Sequence, residues 1–166
     1  MSDNYIAHVR KDLDDTWATP HSLSDHLKMT AKMAGKFAAK FNSEEWGKAV
    51  KMPHAIHGAK LAEELHGKRI GRILSYCIAG HHAGLPDWSG AEGAGQSSLE
   101  FQLTRVKDLS EIEQFVLEGI RSSKPSVPPW HFSSGLDMSL WIRMLYSCLV
   151  DADFLDTESY MNQEVR

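Results

Sequence analysis

Apolar residues along this chain recur at helical rather than strand spacing. From an N-cap at Ser22 or Ser24, Leu23, Leu27, Ala31, Ala34, Ala38 and Phe41 fall three and four apart, with Thr30, Met33 and Phe37 beside them. His26 lies at the edge of that apolar face and can point inward. On the opposite flank Lys28, Lys32, Lys36 and Lys40 repeat every fourth residue, either as a solvated face or as a strip that tracks phosphates. Asn42-Ser43-Glu44-Glu45 predicts a capping box, Asn42 capping, for a short second helix carrying Trp46, Ala49 and Val50. A third helix is predicted over 55–65, where His54, His57, Leu61 and Leu65 can share a face. Gly67 separates it from a fourth over 69–79, with Ile70, Ile73, Leu74, Cys77 and Ile78 as its apolar stripe.

Beyond that, 85–96 reads as a mobile loop rich in glycine, and Ser98 caps a short helix through Phe101 and Leu103. Ser110-Glu111-Ile112-Glu113 is a further capping box, opening a helix with Ile112, Phe115, Val116 and Ile120 inward. Three prolines stiffen 122–130. The last helix is long, with Leu136, Leu140, Trp141, Met144, Leu145, Cys148, Leu149 and Ala152 on its apolar side. Residues 5–20 read as an irregular lead-in anchored by Trp17 and Pro20. No stretch alternates as a strand does, so the expected architecture is an all-α helical bundle.

Composition adds three constraints. The 166 residues predict a single domain over 1–166, and 42% hydrophobic with 24% charged residues is ordinary for a globular chain. A net charge of −4 gives no global basic field, so any nucleic-acid role must come from a local patch or from metal ions. The two cysteines, Cys77 and Cys148, sit on apolar stripes and read as buried thiols rather than a disulfide. No signal-peptide core and no apolar run near the roughly 18 residues of a membrane span is present, so the expected location is the cytoplasm. The oddity is nine histidines.

Two of them, His81 and His82, are adjacent between Gly80 and Gly84. Adjacent imidazoles serve a core badly, because each brings two ring nitrogens that need partners. Holding a metal ion is one job for them; a cationic pair at a helix C-terminus is the other. Asp153 stands among Leu149, Val150, Phe154 and Leu155, where a carboxylate is costly unless paired or coordinating. The alternative leaves Asp151 and Asp156 solvated and pairs Asp153 with Arg143 or a lysine. With His26 and His54 from other helices, these groups would make a mixed nitrogen and oxygen cage. Such a cage suits Mn²⁺, Fe²⁺, Ni²⁺ or Co²⁺ at least as well as Zn²⁺, with Mg²⁺ admissible.

Four segments carry a resemblance. They are Ile78-Ala79-Gly80-His81-His82-Ala83-Gly84-Leu85-Pro86-Asp87-Trp88, the stretch from Ser147 through Asp151, Asp153 and Asp156 to Glu158, Leu23-Ser24-Asp25-His26-Leu27, and Pro53-His54-Ala55-Ile56-His57-Gly58-Ala59. Together they resemble the HD nuclease domain of the type I CRISPR-associated helicase-nuclease, over nearly the whole chain and with no helicase domain present. The first two are specific; the others would be weak alone. The resemblance implies an HD-superfamily fold and a metal-dependent phosphodiesterase that cuts single-stranded DNA in antiviral defence, with a helicase and effector complex as partners in trans. It implies His26, His54, His81, His82 and Asp153 as metal ligands, with His81, His82 and Asp153 at the catalytic centre. His54 is preferred to His57 for its spacing to Gly58-Ala59. Asp153 is preferred to Asp151 because it follows a small residue and precedes an apolar one. The Lys28–Lys40 strip and the 85–96 loop are the implied DNA contacts, with Trp88 either stacking on a base or anchoring the loop.

One departure is large. The family's His-Asp dipeptide occurs nowhere in the chain; Trp46 to Val50 runs directly into Lys51-Met52-Pro53-His54. The rival expectation is therefore a non-catalytic HD-like module that docks on a CRISPR effector or helicase partner. A third is a small-nucleotide phosphohydrolase.

Overall fold

The computed structural model describes residues 5–50, 55–89, 96–109, 125, 127–128 and 131–162. These residues are mostly helical. The elements in order are strands β1 (Ile6–His8) and β2 (His21–Ser22), then helix α1 (Leu23–Ala38), a 3₁₀ turn (Ala39–Phe41), α2 (Glu44–Ala49), α3 (Ala55–Gly80), α4 (Leu99–Arg105) and α5 (Gly135–Met161). No helix among the described residues is long and apolar enough to cross a membrane.

The α1 stripe buries as its period predicts: Leu27, Ala31, Ala34 and Ala38 are inside, while the four lysines are exposed. The helix lies chiefly against α2 and α5, whereas α3 packs on α4 and α5. Trp46, Val50, Ala59, Ala62, Leu74, Ile78, Leu99, Leu145 and Ala152 belong to one continuous apolar core. Cys77 and Cys148 are buried free thiols; burial pushes Cys77 up to about 12 and Cys148 to about 11, so both are neutral and inert.

α3 folds back on itself at Gly67, whose φ of 72° interrupts the helix as the sequence predicts. The two arms then pack so tightly that a Cβ on Gly71 would sit 2.5 Å from the Ala62 carbonyl, and the Ser75 hydroxyl donates to the Ala59 carbonyl across the seam. This hairpin delivers His81 and His82 at its end.

Several expectations are corrected. β1 and β2 form a two-stranded antiparallel ribbon, pairing Ile6 with Ser22 and His8 with His21. Strands of three and two residues are too short to show alternation, so the lead-in reads as irregular from sequence. Trp17 does not anchor it, being 67% exposed. Asn42 does not cap α2; it takes a left-handed conformation that closes the 3₁₀ turn. Ser43 occupies the cap position but spends its hydroxyl elsewhere, donating to the Phe41 carbonyl and accepting from the Trp141 indole at 2.9 Å. On α5 only part of the apolar side is inside: Trp141, Leu145, Cys148, Leu149 and Ala152 are buried, whereas Leu136, Leu140 and Met144 are exposed. His54, the helix opened at Ser110, most of the proline-rich 122–130 stretch and residues 90–95 of the glycine-rich loop lie outside the described residues.

Candidate metal centre

α1 starts at Leu23 because Ser22 closes its first turn, the hydroxyl accepting from the Asp25 amide at 3.0 Å. That fixes His26 one turn in, buried at 8% exposure and facing α5. On α5, Asp153 and Asp156 are three residues apart and so share a face. Both carboxylates meet the same imidazole. Asp153 Oδ1 lies 3.0 Å from His26 Nε2, and Asp156 Oδ2 lies 2.7 Å from His26 Nδ1. Burial works against a charge on His26, but the hydrogen bonds to Asp153 and Asp156 outweigh it and raise its pKa. The same bond from His26 lowers the pKa of Asp153.

The N-terminal ribbon adds two imidazoles to this pair of helices. The His8 and His26 rings meet edge to face at 5.0 Å between centroids, and His21 lies 5.5 Å from His26. His21 Nε2 is 3.6 Å from Asp156 Oδ2. Its ring stacks on Tyr160 at 4.8 Å, and the Tyr160 hydroxyl donates to the Thr19 carbonyl at 3.0 Å. His8 Nε2 contacts the Thr157 hydroxyl at 3.1 Å. Burial, followed by the neighbouring His26 and His21, lowers the pKa of His8 and favours its neutral, ligand-competent form. His8, His21 and His26 each offer a ring nitrogen within 4.8 Å of the others.

The end of α3 approaches from the other side. His81 Nδ1 donates to the Ile78 carbonyl at 2.6 Å, an arrangement that leaves Nε2 as the lone-pair nitrogen. The His82 ring lies 3.7 Å from that of His81 and is exposed. Burial lowers the pKa of His81, and the charge of Asp153 is close enough to oppose it. Asp153 in turn feels both His81 and His82.

Of the ligands implied by sequence, His26 and Asp153 are thus in direct contact, and His81 and His82 lie within reach of the Asp153 charge. His54 is outside the described residues. His57 lines a separate cavity with Arg105 and Lys107. Asp151 points into a groove beside Lys40 and Arg143, away from His26. The alternative pairing of Asp153 with Arg143 or a lysine is not what forms, and Asp156 is not solvated; it is 6% exposed.

Three members of the cluster escaped sequence reasoning: His8, His21 and Asp156. The spacing Asp153-x-x-Asp156 was a usable signal, because it places two acids on one helical face. Nothing local marks His8 or His21, which converge only through the ribbon. Trp88 is held rather than free: the Arg72 guanidinium stacks 3.6 Å above its ring and Tyr76 lies alongside. The backbone at Asp87 and Trp88 accepts from the first amides of α4 at 2.8 and 3.0 Å, which pins this part of the loop.

The donor set fits a divalent transition metal. Imidazoles and carboxylates meet in a buried place, and the outer nitrogens of His26 and His81 are both held by oxygens that orient the inner ones. No family model and no curated protein matches the chain.

Proposed function

We propose that this chain is an HD-superfamily phosphodiesterase of the CRISPR nuclease type, cutting single-stranded DNA in the cytoplasm with a helicase and effector complex acting in trans. The observation that carries the reading is the contact between His26 Nε2 and Asp153 Oδ1 at 3.0 Å, with the same carboxylate within reach of the charges of His81 and His82. An imidazole nitrogen and a carboxylate oxygen bound at about 2.1 Å to one ion, as neighbours on its coordination sphere, sit about 3 Å apart. His26, Asp153, His81 and His82, with His54 from the stretch before α3, are the residues that would hold the ion, Mn²⁺, Ni²⁺, Co²⁺ or Fe²⁺ ahead of Zn²⁺. A bound ion would supply Lewis acidity toward a phosphate oxygen and a more acidic water.

The chain's own residues supply position and charge. Asp156 orients His26 through Nδ1, and Asp153 keeps a negative charge at neutral pH. His81 stays neutral, and the exposed His82 stands where a phosphate can arrive. The test is degradation of single-stranded DNA in the presence of Mn²⁺ or Ni²⁺. Wild type is expected to cut and His81→Ala to lose cutting. Wild type that carries no ion and never cuts, in any of these metals, overturns the reading.

A second reading has its own observation. Both nitrogens of His26 are engaged by carboxylates, which is also how a closed ion-pair lock would look. With the His-Asp dipeptide missing from the sequence, that favours a non-cutting module which docks on an effector or helicase partner. Nucleotide turnover without cutting of polymeric DNA would instead point to a small-nucleotide phosphohydrolase.

A further inference from the structure

The ribbon histidines are not needed by the nucleolytic reading, yet they are arranged as ligands. Centroid separations among His8, His21 and His26 are 5.0, 5.5 and 5.7 Å, close to an equilateral triangle. An imidazole bound at about 2.1 Å places its centroid about 3.2 Å from the ion, so three of them around a tetrahedral ion have centroids about 5.2 Å apart. The planes of the three histidines do not stack on one another: His26 stands at 90° to His8 and at 82° to His21.

Asp156 lies against two of the three rings. Asp156 Oδ2 is 2.7 Å from His26 Nδ1 and 3.6 Å from His21 Nε2, so a single oxygen serves two of the three imidazoles. One further atom is unexplained: His21 Nδ1 is buried with no hydrogen-bond partner among the described residues. Outer contacts hold the rings, through Thr157 on His8 and Tyr160 against His21. Imidazole-rich sets with one carboxylate select borderline first-row ions such as Zn²⁺, Co²⁺ and Ni²⁺.

We propose that His8, His21 and His26 form a divalent transition-metal site that ties the N-terminal ribbon to α1, with Asp156 of α5 holding two of the rings. His26 is shared with the proposed nucleolytic centre, and a neutral imidazole has one lone pair, so His26 serves one ion at a time.

Cobalt titration of the full chain tests this, because tetrahedral Co²⁺ absorbs strongly in the visible and reports its own ligand set. Wild type is expected to take up one Co²⁺ per chain with tetrahedral bands, displaced by Zn²⁺. The double variant His8→Gln, His21→Phe keeps an aromatic ring against Tyr160, and its folding is checked by far-UV circular dichroism. It is expected to bind Co²⁺ at least about 100-fold more weakly, since even outer-shell losses cost 10- to 100-fold in affinity. His57→Ala, in a separate cavity, is expected to bind as wild type does. Equal binding by wild type and the ribbon variant overturns the proposal, as do loss of binding in His57→Ala and absence of binding in wild type. The readout is absorption, so failure of the ribbon site and failure of DNA cutting are read separately.

Discussion

Asp153 and Asp156 are three residues apart on one helix and bind the same imidazole, yet they occupy different worlds. The Asp156 side chain is 8% exposed and closed in by His21, Tyr160 and the N-terminal ribbon. The Asp153 side chain is 28% exposed and feels the charges of His81 and His82 at the end of α3, where His82 meets solvent. One side of His26 is sealed and the other is accessible. A sealed carboxylate chiefly positions its partner, because it meets little solvent. An accessible one can share its charge with an ion or a substrate. The pair therefore separates holding from reacting across a single ring.

The sharpest way to break this contrast is Asp156→Ala. It strands His26 and His21 without their shared acceptor, and breaking a buried charged pair from one side costs about 3 kcal/mol. Urea unfolding should show that loss with the slope unchanged. A cost below about 1 kcal/mol would remove the sealed side as the structural half.

Asp153→Asn comes next, at about 2 kcal/mol in chelator-treated protein, and its effect should depend on pH. His26 has a raised pKa, so its share of the stability is full below its ordinary value of 6.5 and fades as pH rises through the folded value. Asp153 has a lowered pKa, so its share is full above its ordinary 3.8 and fades as pH falls through the folded value. The gap in Tm between wild type and variant should be widest between pH 3.8 and 6.5. A gap that grows from pH 6.5 toward 9 would contradict the ion pair.

Tyr160→Phe keeps the stack on His21 and removes only the hydrogen bond to the Thr19 carbonyl, so it should cost about 1 kcal/mol. Thermal unfolding with proteolysis of the ribbon reads it, and the cut sites should move toward the N-terminus. His82→Ala should change stability by no more than about 0.5 kcal/mol, because the ring is exposed. Under the proposed function the same variant loses cutting of single-stranded DNA. A stability loss comparable to that of Asp156→Ala would erase the difference between the two sides.

Much of this arrangement was legible in the residues. The three-and-four spacing from Leu23 to Ala38 placed α1 and turned His26 toward the core, and the Gly67 break and the Ser98 cap were visible as local signals. Asp153 stood out because an acid among Leu149, Val150, Phe154 and Leu155 needs a partner. The Ser43 cap was not legible, because its hydroxyl is claimed by Trp141, 98 residues away. Nor was the outward face of α5 at Leu136 and Leu140, since periodicity identifies an apolar stripe without saying which neighbour covers it.

Sequence alone determined where the described helices run, that the two glycines bracket a histidine pair, and that an acid on the last helix required a counterpart. These follow from local backbone preference and from the cost of burying charge, which act on each segment whatever surrounds it. Tertiary structure alone decided which imidazole Asp153 meets, that Asp156 is sealed rather than solvated, and that His8 and His21 join His26. Those outcomes depend on a ribbon that pairs residues 13 and 16 apart and on α1 lying against α5, contacts that leave no period in the chain.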